Sequence, residues 1–314
     1  MYKDILEDVI GIPSPSGREN KFVDYIYSKL NTGNASISVD DLKNIVIEFN
    51  NHAFYTVSFV THIDQVAFVI TNILDYKARF ISLSRSKDEE LLNQMVLFPK
   101  GESGIIKKDD SLYVDISGAK SIKVGDFFTF YPHYIAQNDY VFGTGLDNKM
   151  ACALMLDNIE SLSEYSNINI RCIFSTQEEV GARGIKKISN DGEGLIVNID
   201  ATPCRDCYKN TSVEMGNGAA IKVCDSGNII DSEMVNLITS IATENETLYQ
   251  LEIIDRGSTD LAGFENRQQY SNMISLGIPC SYGHNLIEKM NFNDVDAVNV
   301  LIKGICNHYS LLRV

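Results

Sequence analysis

The chain has 314 residues, 44% hydrophobic and 22% charged, with 21 Gly and only 6 Pro, which excludes a disordered, collagen-like or disulfide-scaffold protein. Lys and Arg number 27 against 42 Asp and Glu; the formal charge of −15 repels phosphate backbones and anionic lipid and argues against nucleic-acid and membrane partners. The acidic start Met1-Tyr-Lys-Asp-Ile-Leu-Glu-Asp8 is unlike a signal peptide, no apolar run approaches the ~18 residues of a membrane span, and seven scattered Cys suit reduced thiols in the cytoplasm.

In chain order, residues 3–10 and 19–30 read as helices, the second with Phe22, Val23, Ile26 and Leu30 on one face. Between them Gly11-Ile-Pro-Ser-Pro-Ser-Gly17 is a loop that ends in a cap signal. Short β-rich runs follow at 37–39, 45–49 and 55–60. Residues 66–142 hold many short apolar runs (66–70, 79–83, 95–98, 112–116, 126–131) separated by turns, with 84–90 as the most polar loop, and read as a small all-β unit. Beyond it come a helix at 150–159, strands at 169–174, 194–199 and 219–223, a helix at 231–244, strands at 248–254 and 270–276, and a helix at 294–309 with Val295, Val298, Leu301, Ile302 and Ile305 on its apolar face. Alternating strands and helices predict an α/β sheet covered on both faces. The domain expectation is an α/β unit of 1–65 and 144–314 interrupted by an inserted β-barrel-like unit, 66–143.

The polar residues recur in one place. Four apolar runs end abruptly in acids or imidazoles: Val57–Thr61 in His62-Ile-Asp64, Ile170–Thr176 in Gln177-Glu178-Glu179, Leu195–Ile199 in Asp200, and Met273–Pro279 shortly in Tyr282-Gly-His284. A fifth acid, Asp147, stands just ahead of a buried-looking helix. Ligands bind at the carboxyl edge of open α/β sheets. A row of carboxylates and imidazoles there repels itself unless cations hold it, and that donor set suits Zn, Co or Mn. Taken singly, each is bland: an acid after a strand is usually a loop or cap residue, Asp147 could cap the helix, and Glu178-Glu179 could be a solvated pair. Five together favour a site. His52, His133 and His308 end no such run and read as surface or structural residues. Cys204-x-x-Cys207 lacks a second pair, so it reads as two free thiols on a loop rather than a structural zinc site. Gly143-Thr-Gly145 lacks the third Gly of a dinucleotide loop.

With those residues in view, the chain resembles the di-metal aminopeptidase family of glutamyl aminopeptidases and tetrahedral aminopeptidases, some of whose members carry an endoglucanase label. The matching segments are IPSPSGREN (12–20), THIDQVAFVI (61–70), GTGLDNKMACALML (143–156), FSTQEEVGARGIK (174–186), VNIDATP (197–203), MGNGAAI (215–221), RGSTDLAG (256–263) and IPCSYGHNLIE (278–288). The resemblance implies a three-layer α/β sandwich of the phosphorylase/hydrolase type with a small inserted all-β domain. It further implies that His62 and Asp200 bind one divalent ion, Glu179 and His284 the second, and Asp147 both. It makes Glu178 the general base and places Asp64 behind His62, accepting from the other ring nitrogen. Zn is the expected ion, with Co or Mn as alternatives. Peptides are the expected substrates, cleaved by a water shared between the ions, and the expected assembly is a homo-oligomer between a dimer and a dodecamer. Gln65 stands where an acid often follows H-x-D, Ser281 where Arg is common, and Gly283 and Asn285 flank His284 where bulkier and smaller residues, respectively, are usual; none is a ligand position.

Neighbouring side chains leave an extended backbone in opposite directions, so Glu179 can ligate while Glu178 faces the attacking water. Anchoring the substrate's free α-amine at one ion would make the enzyme an exopeptidase. The competing readings are a di-metal deacylase or carboxypeptidase, a glycosidase with paired carboxylates, and a non-catalytic homologue serving binding or assembly.

Overall fold

The computed structural model describes residues 1–30, 35–84, 86–119, 121–188, 194–264 and 272–312. Two amphipathic helices open the chain: α1 (Tyr2–Ile10), burying Tyr2, Leu6, Val9 and Ile10, and α2 (Asn20–Lys29), burying Phe22, Val23 and Ile26. Strands β1 (Ser36–Val39), β2 (Ile45–Phe49) and β3 (Thr56–His62) follow.

The β-rich stretch then closes on itself. Its strands are β4 (Phe68–Leu74), β5 (Lys77–Ser82), β6 (Met95–Leu97), β7 (Ser103–Lys108), β8 (Leu112–Asp115) and β9 (Phe127–Phe130). They form a closed barrel in the order β4-β5-β8-β7-β6-β9. Closure leaves no free sheet edge, and the interior is filled by Phe68, Phe98, Phe128 and Phe130 with Val96, Ile106 and Val114. The polar run 84–90 is not wholly a loop: the acids Asp88, Glu89 and Glu90 start a one-turn helix, α3 (Asp88–Leu91), whose Leu91 plugs the barrel core.

The barrel ends at Phe130, which corrects the expected boundary of the inserted unit. Strands β10 (Tyr134–Gln137) and β11 (Tyr140–Gly143), expected within it, pair instead into the large sheet. The reason is β17 (Glu288–Asn291), unforeseen from sequence, which offers β11 an antiparallel partner from Asn291 to Glu288.

The remaining elements build the sandwich: α4 (Leu146–Leu162), β12 (Asn169–Ser175), β13 (Gly194–Pro203), β14 (Ala219–Cys224), α5 (Ser232–Glu244), β15 (Tyr249–Ile253), β16 (Met273–Ser281) and α6 (Phe292–Leu311). Asp231 caps α5 by accepting from Glu233 N, and Asn291 caps α6 by accepting from Asn293 N. The expected strand at 270–276 runs to Ser281, and part of it, 270–271, lies outside the described residues. The large sheet has eleven strands, ordered β1-β2-β12-β3-β13-β16-β17-β11-β10, with β14 and β15 attached to β16. At its centre β12, β3, β13 and β16 run parallel and are buried almost without interruption, as strands covered on both faces must be. Helix α4 packs on β3 and β13 and against α1, while α5 and α6 pack on β14 and β16.

Gln65 rivets the barrel to the sandwich. Its Nε2 donates to Thr129 Oγ1 of β9 at 2.9 Å, its Oε1 accepts from Ser14 N at 3.2 Å, and its N donates to Ser14 O. The residue that departs from the family pattern is therefore fully used by its neighbours.

Candidate metal centre

The parallel strands deliver the expected residues to one edge. His62 is the last residue of β3; Glu178 and Glu179 follow the end of β12; His284 follows the end of β16. Asp200 is not at a strand terminus, because β13 continues to Pro203 by pairing residue for residue with β16. Asp147 enters from the start of α4, where its backbone (φ −78°, ψ 104°) is not helical and its peptide bond to Asn148 is cis. Asn148 Nδ2 donates to Ile199 O at 2.8 Å and Thr61 Oγ1 at 3.1 Å, tying this junction to β13 and β3.

The five residues converge. His62 Nε2 lies 3.2 Å from Asp147 Oδ1 and 3.3 Å from Asp200 Oδ1. His284 Nε2 lies 3.3 Å from Glu179 Oε2 and 3.6 Å from Asp147 Oδ2. Asp147 thus turns one oxygen to each imidazole. Two groups compatible with a cation result, His62–Asp147–Asp200 and Asp147–Glu179–His284, each with its ligand atoms within 4.8 Å of one another.

These donors fit a cation better than one another. Among the described residues, buried Asp147 Oδ1 and Glu179 Oε1 find no hydrogen-bond partner, although Nε2 of His62 stands 3.2 Å from the former. Tetrahedral ligands at zinc distances of ~2.0–2.1 Å stand about 3.3–3.4 Å apart. The separations here are of that size, and imidazole with carboxylate is a donor set that zinc, cobalt and manganese accept.

The electrostatics show the strain of assembling acids in a dry place. Burial pushes Glu178 well above the carboxylate range, His62 counters it, and Asp200, Asp260 and Glu179 add to it. Burial likewise lifts Glu179 to about 7, against the pull of His284. For His62, burial alone would favour the neutral ring, but the charges of Asp200 and the hydrogen-bonding carboxylates outweigh it and raise the value. Asp147 goes the other way: the two imidazoles outweigh burial and hold it low.

Asp64 lies against the other ring nitrogen of His62. His62 Nδ1 is closer to the Asp64 backbone carbonyl (3.1 Å) than to its carboxylate (3.5 Å). The carboxylate is already occupied: it accepts from Glu178 N at 2.9 Å, Glu179 N at 3.2 Å and Ser16 Oγ at 2.7 Å. Asp64 therefore holds the Glu178-Glu179 turn as well as flanking the imidazole. Gln177 before it (φ 56°) and His284 (φ 65°) sit in the left-handed region, a conformation that costs energy and gathers at functional sites.

Sequence reasoning missed Ser16, Glu19, Asp260 and Glu288. Glu19 is buried, accepts from Gly17 N, and is lifted to about 7 by burial and by Asp64. Asp260, fully buried on the 3-10 turn Asp260–Gly263, accepts from Ser175 Oγ and is lifted to about 7 by burial. The available signal was an acid inside an otherwise apolar or tight-turn segment. Cys204 is buried and Cys207 exposed, both free, and neither belongs to the cation-compatible groups found among the described residues.

Fold and site together define an α/β enzyme with a candidate metal centre at the carboxyl edge of a parallel sheet. The comparisons make this specific: a model described as M42 glutamyl aminopeptidase matches residues 99–301, and the chain belongs to that family. It is a hydrolase, an aminopeptidase. A candidate aminopeptidase of Acetivibrio thermocellus is 28% identical over 96% of this chain and 98% of its own. The lysyl aminopeptidase of Pyrococcus furiosus is 25% identical, covering 96% of each. The Pyrococcus horikoshii TET1 peptidase, which can assemble into a tetrahedron or a large octahedral shell, superposes with a TM-score of 0.86 at 26% identity over 98% of this chain and 99% of its own.

Proposed function

We propose that this chain removes N-terminal residues from peptides at a two-cation site held by His62, Asp147, Asp200, Glu179 and His284, with Glu178 as the general base. The observation that carries the reading is Asp147, whose two oxygens face two imidazoles from different strands at 3.2 and 3.6 Å. A pair of divalent ions, zinc first and cobalt or manganese as alternatives, supplies when bound Lewis-acid polarisation of the scissile carbonyl and acidification of water.

The protein's own residues do the rest. Glu178 takes a proton from the attacking water as its oxygen bonds to the carbonyl carbon, and returns it to the leaving nitrogen as the C–N bond breaks. Asp64 orients Glu178 through the backbone N–H at 2.9 Å, and fixes the His62 tautomer through its carbonyl at Nδ1. We further assign the barrel of β4–β9 to assembly and substrate access. A homo-oligomer, in the range from dimer to dodecamer, is supported by the TET1 likeness. Free thiols at all seven Cys accord with a reducing, cytoplasmic setting.

Aminoacyl-p-nitroanilides and N-acyl amino acids, assayed on chelator-stripped protein with Zn, Co or Mn restored, test the reading. Hydrolysis of the free-amine series alone is expected. Preference for the acylated series would make the protein a deacylase, and glycan hydrolysis in chelator a glycosidase. Glu178→Gln should lose about 10²–10⁴-fold in kcat with unchanged ion content.

A further inference from the structure

We propose that Glu288 is a positioning residue that clamps the two halves of the site together, fixing the backbone of Asp147 against that of His284. The inference rests on the two-cation reading above, but concerns a residue that reading does not use. Glu288 opens β17 and is 2% exposed. Its Oε2 accepts from Asp147 N at 2.9 Å and its Oε1 from His284 N at 2.8 Å. Both oxygens are turned to main-chain N–H groups, and Glu288 belongs to neither cation-compatible group.

The two bonds join two segments that each carry a residue of the site. Asp147 lies at the non-helical junction between Gly145 and the body of α4, where its N–H has no helical acceptor. His284 lies in the left-handed reversal between β16 and β17, after Tyr282 (φ 62°). Glu288 stands on firm ground between them: β17 pairs β16 through Cys280–Met290 and Ser281–Lys289, and β11 through Gly143–Glu288. Thr144 Oγ1 donates to Leu286 O at 2.8 Å and closes the same corner. A carboxylate is the side chain suited to this place, since its two oxygens accept two N–H donors side by side. An amide accepts at one oxygen only and turns an NH₂ towards the second N–H; Ala removes both acceptors.

The consequence is the spacing of Asp147 Oδ2 and His284 Nε2, 3.6 Å here. Partners behind the ligands of this kind are worth about 10–100-fold in metal affinity. The test compares wild type, Glu288→Gln and Glu288→Ala by ions bound per chain, Co²⁺ affinity in chelator competition, the visible Co²⁺ spectrum, and thermal midpoint. Expected is a 10–100-fold loss of Co²⁺ affinity for Glu288→Ala, a smaller loss for Glu288→Gln, and an altered Co²⁺ spectrum in both. If Glu288→Ala fails to fold, the near-isosteric Glu288→Gln decides. Affinity and spectrum within twofold of wild type in a folded variant overturn the clamp while leaving the two-cation reading intact. Wild type that binds no Co²⁺ overturns both.

Discussion

Single residues of this site are held by groups whose contribution is measurable one at a time. Glu19 is buried beside Asp64 and lifted from 4.5 to about 7, so the folded chain keeps a proton that the unfolded chain releases in that interval. By linkage, its contribution is full below about pH 4.5 and is lost as pH rises towards 7, amounting to about 3 kcal/mol. Glu19→Gln keeps an acceptor for Gly17 N without the titration. It should match wild type in urea at pH 4.5 and exceed it at pH 8; equal pH slopes in the two proteins would refute the assignment. Such residues were the least legible from sequence. His62, Asp200 and the Glu178-Glu179 pair announce themselves as polar breaks in apolar runs. Ser16 and Asp260 act on partners far off in sequence, Asp64 and Ser175, and Glu19 and Glu288 are marked only weakly, as acids in tight-turn or apolar surroundings.

At the level of elements, the turn after β12 shows how closely Glu178 and Glu179 are packed into the fold. Gly184 N donates to Thr176 O at 3.0 Å, and Asn44 Nδ2 donates to Gly184 O at 2.9 Å. A Cβ at Gly184 would come within 2.2 Å of Thr176 O and 2.4 Å of Asn44 Oδ1. Gly184→Ala should therefore cost about 1–3 kcal/mol and reduce activity by displacing Glu178 and Glu179; an unchanged denaturation midpoint would show that the turn is slack. Element type followed from periodicity for the long helices: α1, α2, α5 and α6 fall within about two residues of their expected ends. Helix α4 reaches four residues earlier than its apolar pattern, to Leu146, and Asp147 and Asn148 within that extension are not helical in φ/ψ. Strand β17 was missed because Glu288-Lys-Met-Asn291 has no apolar alternation, its pairing being set by β11 and β16.

For the whole molecule, a sandwich with a small β unit inserted after the H-x-D strand was legible from the change of rhythm after residue 66. The return point was not. Strands β10 and β11 have the same short-run character as the barrel, and only the antiparallel partner β17 draws them into the large sheet. The −15 charge is consistent with a site that gathers acids at a sheet edge and relies on cations to balance them. On the proposed two-cation reading, Asp147 joins two cation positions in one centre. Metal content per folded chain, measured on stripped protein reloaded with Zn²⁺ for wild type and Asp147→Asn, tests it most directly. Two ions are expected in wild type, with weakened retention of both in the variant; two fully held ions in Asp147→Asn would overturn the shared role proposed for Asp147.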